Sequence, residues 1–380
     1  MRSFVLLLLV ILLFSSCNNR NSTNETSPAD QAASLYHATR FRLESHDGYR
    51  KLIISDPWQD TDNQKFIYFL VPRGTALPDS VKGGIVITVP VKRMICMSTT
   101  HIAMMNALGA EEAIVGISGA GLVYNMEIRD AVKSGVIPDV GYENNLDKEL
   151  IVSLKPNLLM AYGVGAASAE YLRKLSEMGI TVMYNADYLE DHPLARCEWI
   201  KVFGILTGKE TEADSIYNCI SSNYMKLADS LNQFKDYRPK VLLGAPWEDV
   251  WYISPANSFA ARLISDAGGS YLFGDLKARN SIPFSTEAVF GKAMDADVWL
   301  NPGTAECLGD ITATDYRMAQ LPVFKSGRVY NCNKRAIPGG GNDYWESAVV
   351  HPDILLRDLA TVLHPTLMPE YSTVYYRKME

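Results

Sequence analysis

Several residue patterns in this chain could do chemistry, and each implies a different activity. Gly163-x-Gly165-x-x-Ser168 follows the apolar run NLLMAY and opens a helical pattern, with Asp187 past the next apolar run. In a dinucleotide site such glycines let a pyrophosphate approach a helix N-terminus, while the acid holds a ribose. Here Ser168 stands where a third Gly or Ala is expected, and the unit does not open the fold. We read it as a Gly-rich turn on a cleft wall. The alternative is an enzyme with a dinucleotide- or metal-chelate-binding cleft. Of the six histidines, only His101, in STTHIAMMNAL, sits at a strand-to-helix turn where a ligand could bind. Its plainer role is packing. No HxxxH or HExxH spacing occurs, so no protein-built metal cage is expected. No GxSxG is present either, and no catalytic residue is assigned.

Aromatic residues form the broadest pattern. Tyr142 in VGYENN, Tyr162, then Trp247, Trp251 and Tyr252 in GAPWEDVWYISP, and Tyr344 and Trp345 in GGGNDYWE all lie where predicted strands end, in Gly/Pro/Asn-rich loops. In α/β lobes ligands bind outside the carboxyl ends of strands, so these rings are expected to line a cleft.

Two further stretches resemble each other. DKELIVSLKPNLLM runs from Asp147 to Met160, and STEAVFGKAMDADVWL from Ser285 to Leu300. Each begins with a capping-type residue two positions before a Glu, continues through an apolar-periodic stretch and ends in a short hydrophobic run.

The elements that must position these residues follow from periodicity. Residues 36–81 alternate like strands and predict a small β extension. Residues 82–192 alternate short apolar runs with helical patterns, which predicts a parallel sheet with helical crossovers. Residues 193–237 lack strand signals and form a helical connector, with Ile216, Ile220, Tyr224, Leu227 and Leu231 on one face. The alternation resumes over 238–380. The expected fold class is α/β: two Rossmann-like lobes joined by a long connecting helix, after a small N-terminal β extension.

Bulk properties narrow the partners. Hydrophobic residues make up 47% of the 380 and the net charge is −7, so ordinary cores are expected and nucleic acid is not a predicted partner. The start, MRSFVLLLLVILLFSSC, places Arg2 before an apolar run too short for a membrane span, then small residues before Cys17. This resembles a lipobox, which makes 1–17 a lipoprotein signal, Cys17 the lipidation site and 18–35 a polar tether to the membrane. Export permits disulfides, but the remaining Cys96, Cys197, Cys219, Cys307 and Cys332 are odd in number and widely spaced. Most are expected to be small buried hydrophobes.

Longer segments carry a family resemblance. RMICMSTTHIAMMNALGAEEAIVGISG, VIPDVGYENNLDKELIVSLKPNLLMAYG, ISDAGGSYLF, STEAVFGKAMDADVWLNPG and LPVFKSGRVY are similar to the iron-complex and cobalamin substrate-binding proteins of bacterial ABC importers. The similarity covers roughly residues 90 to 365, with Asn157 where the family usually has Asp. It implies a binding protein of the cell envelope, facing the periplasm, that is not an enzyme and needs no cofactor. Its partners would be a metal chelate and an ABC permease dimer with its ATPase. The ligand would be a ferric siderophore or other iron complex ahead of haem or cobalamin. Glu149 and Glu287 match the helix-start acids that grip the two permease subunits. Within the cleft, Asn342 would offer amide hydrogen bonds, Arg335 would pair with a chelate's negative charge, and His101 or a tyrosine would ligate a haem.

Overall fold

A computed structural model describes residues 37–380 apart from 60, 78, 143–144, 163–165 and 234–236. The signal, Cys17 and the tether lie outside these residues, as do Gly163 and Gly165.

The chain opens with β1 (Phe41–His46), β2 (Tyr49–Ser55), β3 (Lys65–Pro72) and β4 (Ile85–Val89), which pair in that order. The turn between β1 and β2 is Asp47-Gly48, and Gly48 has φ 79°, a conformation glycine adopts without a Cβ clash. Alternate residues point inward: Phe41, Leu43, Leu52, Ile54, Tyr68 and Leu70 are buried in one core with Trp199 and Phe203. β4 was expected to begin the first lobe. It instead pairs parallel with β3 and completes the extension's sheet.

The N-terminal lobe comprises β5 (Met94–Cys96), α1 (Thr99–Ala107), β6 (Ile114–Ile117), α2 (Met126–Lys133), α3 (Lys148–Ser153), β7 (Leu158–Ala161), α4 (Ala166–Glu177) and β8 (Val182–Tyr184). Its strands are parallel in the order β6-β5-β7-β8. The connector is α5 (Pro193–Glu198), α6 (Ile200–Thr207) and α7 (Glu210–Asn232), and α7 buries Ile220, Tyr224 and Leu231 on the face predicted from the sequence.

The C-terminal lobe runs β9 (Lys240–Leu243), β10 (Val250–Ile253), α8 (Phe259–Asp266), β11 (Ser270–Tyr271), β12 (Ile282–Ser285), α9 (Thr286–Ala293), β13 (Val298–Leu300), α10 (Leu308–Thr314), α11 (Pro322–Lys325), β14 (Val329–Asn331), α12 (Pro352–Leu363) and β15 (Arg377–Lys378). Its sheet order is β11-β9-β13-β14-β15, with β15 antiparallel at the edge, while β10 and β12 form a separate antiparallel pair. Apart from β15, the order second-first-third-fourth repeats that of the N-terminal lobe. α3 precedes the third strand of one lobe and α9 the third strand of the other, so the two similar stretches occupy the same place in each lobe.

The lobes meet at the loop after β14. Thr99 Oγ1 donates to the Trp345 carbonyl at 2.8 Å, and the Glu346 carboxylate accepts the Tyr124 and Asn125 N–H groups at 2.6 and 2.9 Å. Gly341 lies so close to the other lobe that a Cβ there would sit 2.4 Å from the Val123 carbonyl.

Candidate ligand-binding site

A cavity of about 970 Å³ opens at the carboxyl ends of β9, β13 and β14, facing the segment that follows β8. Leu243 and Gly244 come from the end of β9, Asn301 and Gly303 from the end of β13, and Asn331 to Asn333 from the end of β14. Tyr188, Glu190, Asp191 and Arg196 supply the opposite side, and Phe259 lies at the start of α8. Position past the strand ends is where an α/β sheet leaves its backbone free to meet a ligand.

Charge on the wall is largely organised by hydrogen bonds. Glu190 is 1% exposed and takes Thr39 N–H, Thr39 Oγ1, Arg40 N–H at 2.9 Å and Trp199 Nε1 at 3.2 Å. Burial pushes its carboxyl above the usual range, and these four donors oppose the rise. Arg196 donates Nε to the Glu190 carbonyl and Nη2 to the Tyr188 carbonyl, and its guanidinium lies 4.0 Å over the Phe259 ring. A smaller cavity of about 60 Å³, lined by Thr100, Asp187, Arg196 and Tyr344, adjoins it. Asp187 is buried there; desolvation raises its pKa and Arg196 opposes the rise.

Asparagine side chains shape the loops. Asn331 Nδ2 donates to the Gly303 and Ala305 carbonyls at 3.1 and 2.8 Å, tying β14 to the turn after β13. Asn342 Nδ2 donates to the Cys332 carbonyl at 3.1 Å, while its Oδ1 accepts the Tyr344 N–H. These bonds hold backbone groups that would otherwise lack partners inside the loops.

The structure brings some of the residues singled out from sequence to the cavity and leaves others away from it. Asn342 and Trp345 line the cavity, and Trp345 is 62% exposed with its ring edge-on to Tyr344. Tyr162 lies one ring behind the wall, in an edge contact of 6.4 Å with Tyr188. Arg335 stands next to the lining residue Ala336, but its Nε is bound to Asp343 at 2.7 Å and its guanidinium covers Tyr124 of the other lobe. Trp247 and Tyr252 are exposed on the β10 turn and hairpin, and Tyr142 packs against the turn at Gly119; none of the three lines the cavity.

Two assignments are corrected by burial. His101 is wholly inside the N-terminal lobe, where desolvation pushes its pKa down to about 3, so its ring is a neutral packing group out of a ligand's reach. Trp251 is likewise sealed, its Nε1 donating to the Leu243 carbonyl at 3.1 Å beneath the cavity floor. Sequence reasoning missed Arg40, Trp58, Tyr188, Arg196 and Asn301. Asn301 carried a usable signal, since it follows the apolar run ADVWL directly; the others act through long-range packing.

The two helix-start acids sit as their spacing predicts, each second in its helix. Asp147 caps α3 by accepting the Leu150 N–H at 2.8 Å, and Ser285 caps α9 by accepting the Ala288 N–H at 3.3 Å. Glu149 is exposed and forms no ion pair among the described residues. Glu287 is bound by Arg317 Nη1 at 2.6 Å, which holds its carboxyl below the usual range. Of the cysteines, Cys96, Cys197 and Cys332 are buried, Cys219 and Cys307 are exposed, and all five are free.

The profile of the periplasmic binding protein family matches residues 94–336, more than half of the chain, and the chain belongs to that family. Its members are solute-binding proteins and not enzymes, which sets aside the enzyme alternative. The chain is similar along almost its whole length to an uncharacterized lipoprotein of Methanocaldococcus jannaschii, with 29% identity over 407 aligned positions, 98% of this chain and 95% of the relative. In fold it is similar to a periplasmic heme binding protein from Pseudomonas aeruginosa, with a TM-score of 0.57 and 19% identity over 76% of this chain and 98% of the other. It is also similar to a protein of an ABC-type Fe3+-hydroxamate transport system from Saccharomonospora viridis, with a TM-score of 0.54 and 16% identity over 72% of this chain and 94% of the other.

Proposed function

We propose that the chain is a lipid-anchored substrate-binding protein of the cell envelope that captures an iron chelate and delivers it to an ABC permease dimer. The observation that carries this reading is the cavity. Its volume of about 970 Å³ lies at the upper end of the ~300–1,000 Å³ range of small-molecule sites, so it suits a bulky ligand. Its lining mixes flat rings (Trp58, Phe259, Tyr344, Trp345) with guanidinium and amide groups (Arg40, Arg196, Arg279, Asn257, Asn280), which match an organic periphery rich in oxygen. The names of the heme-binding and hydroxamate-transport neighbours support the same class. With His101 enclosed, haem loses its histidine candidate for an axial ligand, and a ferric siderophore is favoured over haem and cobalamin. Cys17 is the proposed attachment to lipid. Glu149 and Glu287, placed alike in the two lobes, are the proposed permease contacts.

Tryptophan fluorescence tests the ligand class, because ferric chelates absorb light and quench nearby indoles. Titration with a ferric hydroxamate, a ferric catecholate, haem and cyanocobalamin is expected to give saturable quenching by a ferric chelate. Trp345→Phe should remove much of the amplitude. Tight binding of free Zn²⁺ or Mn²⁺ with no response to any chelate would overturn the proposal.

A further inference from the structure

The N-terminal sheet lies before the family match, which begins at residue 94. The Pseudomonas heme binding protein is matched over 98% of its own length by 76% of this chain, so the remainder of this chain has no counterpart there. Yet residues of the extension reach the cavity: Arg40, just before β1, and Trp58 and Gln59, between β2 and β3, all line it.

The extension is fastened to the N-terminal half. Its residues Thr39 and Arg40 are held by Glu190, and the Trp58 ring packs on Phe66 and Tyr184 at 5.6 and 5.2 Å. From the other lobe Arg279 reaches across, donating Nη1 to Asp62 at 2.7 Å and Nη2 to the Thr61 carbonyl. Arg279 and its neighbours Asn280 and Ser281 also line the cavity, so the extension and the C-terminal lobe share one continuous wall.

Arg40 differs from the other lining cations. Arg196 and Arg279 spend their donors on carbonyls and Asp62, whereas the half-buried Arg40 guanidinium has no hydrogen bond or ion pair among the described residues. Two carboxylates lie near it: Glu190 has both oxygens occupied by N–H and O–H donors, and Asp191 shares the cavity wall and feels the Arg40 charge without a hydrogen bond to it. A cation of this kind at a cavity wall is satisfied best by an anionic oxygen from outside the protein.

We propose that the extension is a third wall of the ligand site, in which Arg40 and Gln59 form a subsite for a carboxylate arm of the bound chelate. The proposal rests on the reading of the cavity as a chelate site. It makes the extension a determinant of which chelates are accepted, favouring those with an anionic periphery over neutral ones.

The test uses the mature full chain and its Arg40→Gln, Gln59→Ala and Arg279→Ala variants. The probes are ferric citrate, haem, a neutral ferric hydroxamate, cyanocobalamin and metal-free citrate. Loss of a charge-assisted hydrogen bond in Arg40→Gln should weaken an anionic chelate by roughly tenfold to a hundredfold and a neutral one by less than about twofold. Arg279→Ala, which keeps Arg40 but frees the wall, should weaken the anionic chelate as well. Arg40 makes its structural bond through its backbone N–H, so the Gln variant should keep the parent's unfolding midpoint. Binding of an anionic chelate that survives Arg40→Gln within about twofold would overturn the subsite but leave the chelate reading intact. A parent that takes only neutral chelates would do the same. Metal-free citrate binding as tightly as ferric citrate overturns the subsite as one for chelates. A parent that binds none of the probes fails the broader reading, and the subsite with it.

Discussion

Glu346 joins the lobes through a single carboxylate, and its titration has a readable consequence. Burial pushes its pKa up to about 7, with the Tyr124 and Asn125 N–H groups and Arg129 opposing the rise and Asp343 adding to it. A carboxyl raised in this way holds a proton in the folded chain at pH values where the unfolded chain has released it. Its contribution to stability is therefore fully present below about pH 4.5 and is lost as pH rises to about 7. Glu346→Gln cannot titrate. Its urea midpoint, followed across pH 4 to 8, should lack this fall relative to the parent; identical slopes would show that Glu346 does not titrate in that range. At this scale the sequence was legible only in part. Asn342 and Trp345 were reachable because a Gly/Pro/Asn-rich loop past a strand is where ligands bind. Trp251 was misjudged because VWYI reads as part of a loop. It is strand β10, whose period of two turns Trp251 inward and Tyr252 outward. Glu190 carried no local signal, since its partners Thr39 and Arg40 are about 150 residues away.

Among the elements, the junction loop PGGG depends on one glycine. A Cβ at Gly341 would meet backbone atoms of Val123 and Tyr124 at 2.4 to 2.6 Å, and backbone cannot rotate aside as a side-chain tip can. Gly341→Ala should therefore cost about 1–3 kcal/mol of stability and spread the lobes at this edge. Gly121→Ala, which meets nothing within 4 Å, should change the denaturation midpoint little. Equal midpoints for the two variants would argue against a tight junction. Helices were legible from a capping residue, as in α3 and α9, or from an apolar face, as in α7. β4 was legible as a strand but not in its pairing. Five alternating residues specify which face is buried, while a parallel partner is chosen by tertiary packing.

For the molecule as a whole, the repeated strand order places α3 and α9 alike, and the proposed docking on a two-fold permease rests on that likeness. Reversing Glu149→Lys and Glu287→Lys together should abolish transport through like-charge repulsion at the interface, while chelate affinity stays at the parent's value. Loss of chelate binding along with transport would move both residues into the ligand site. The two helix starts differ in one respect: Arg317 already occupies Glu287, so under the proposed docking a basic permease residue would have to displace it. Two α/β lobes and a helical connector were legible because the 3.6- and 2-residue periods switch repeatedly along the chain. The cavity's make-up was not, because its walls are drawn from the extension, the connector and three strand ends of the second lobe.

The contacts of the first described residues also set an order of assembly. The N–H groups of His37 and Ala38 are accepted by Glu198, and those of Thr39 and Arg40 by Glu190. These four donors precede their acceptors by 150 to 161 residues, so they emerge first when the chain crosses a membrane N-terminus first. A nascent chain that stops short of Glu198 can form the β1–β2 hairpin, but it cannot anchor the strand that leads into it. Such distant pairing carries a large loop-closure cost and slows folding. Residues 37–40 must therefore wait, unanchored, until the segment carrying Glu190 and Glu198 has emerged.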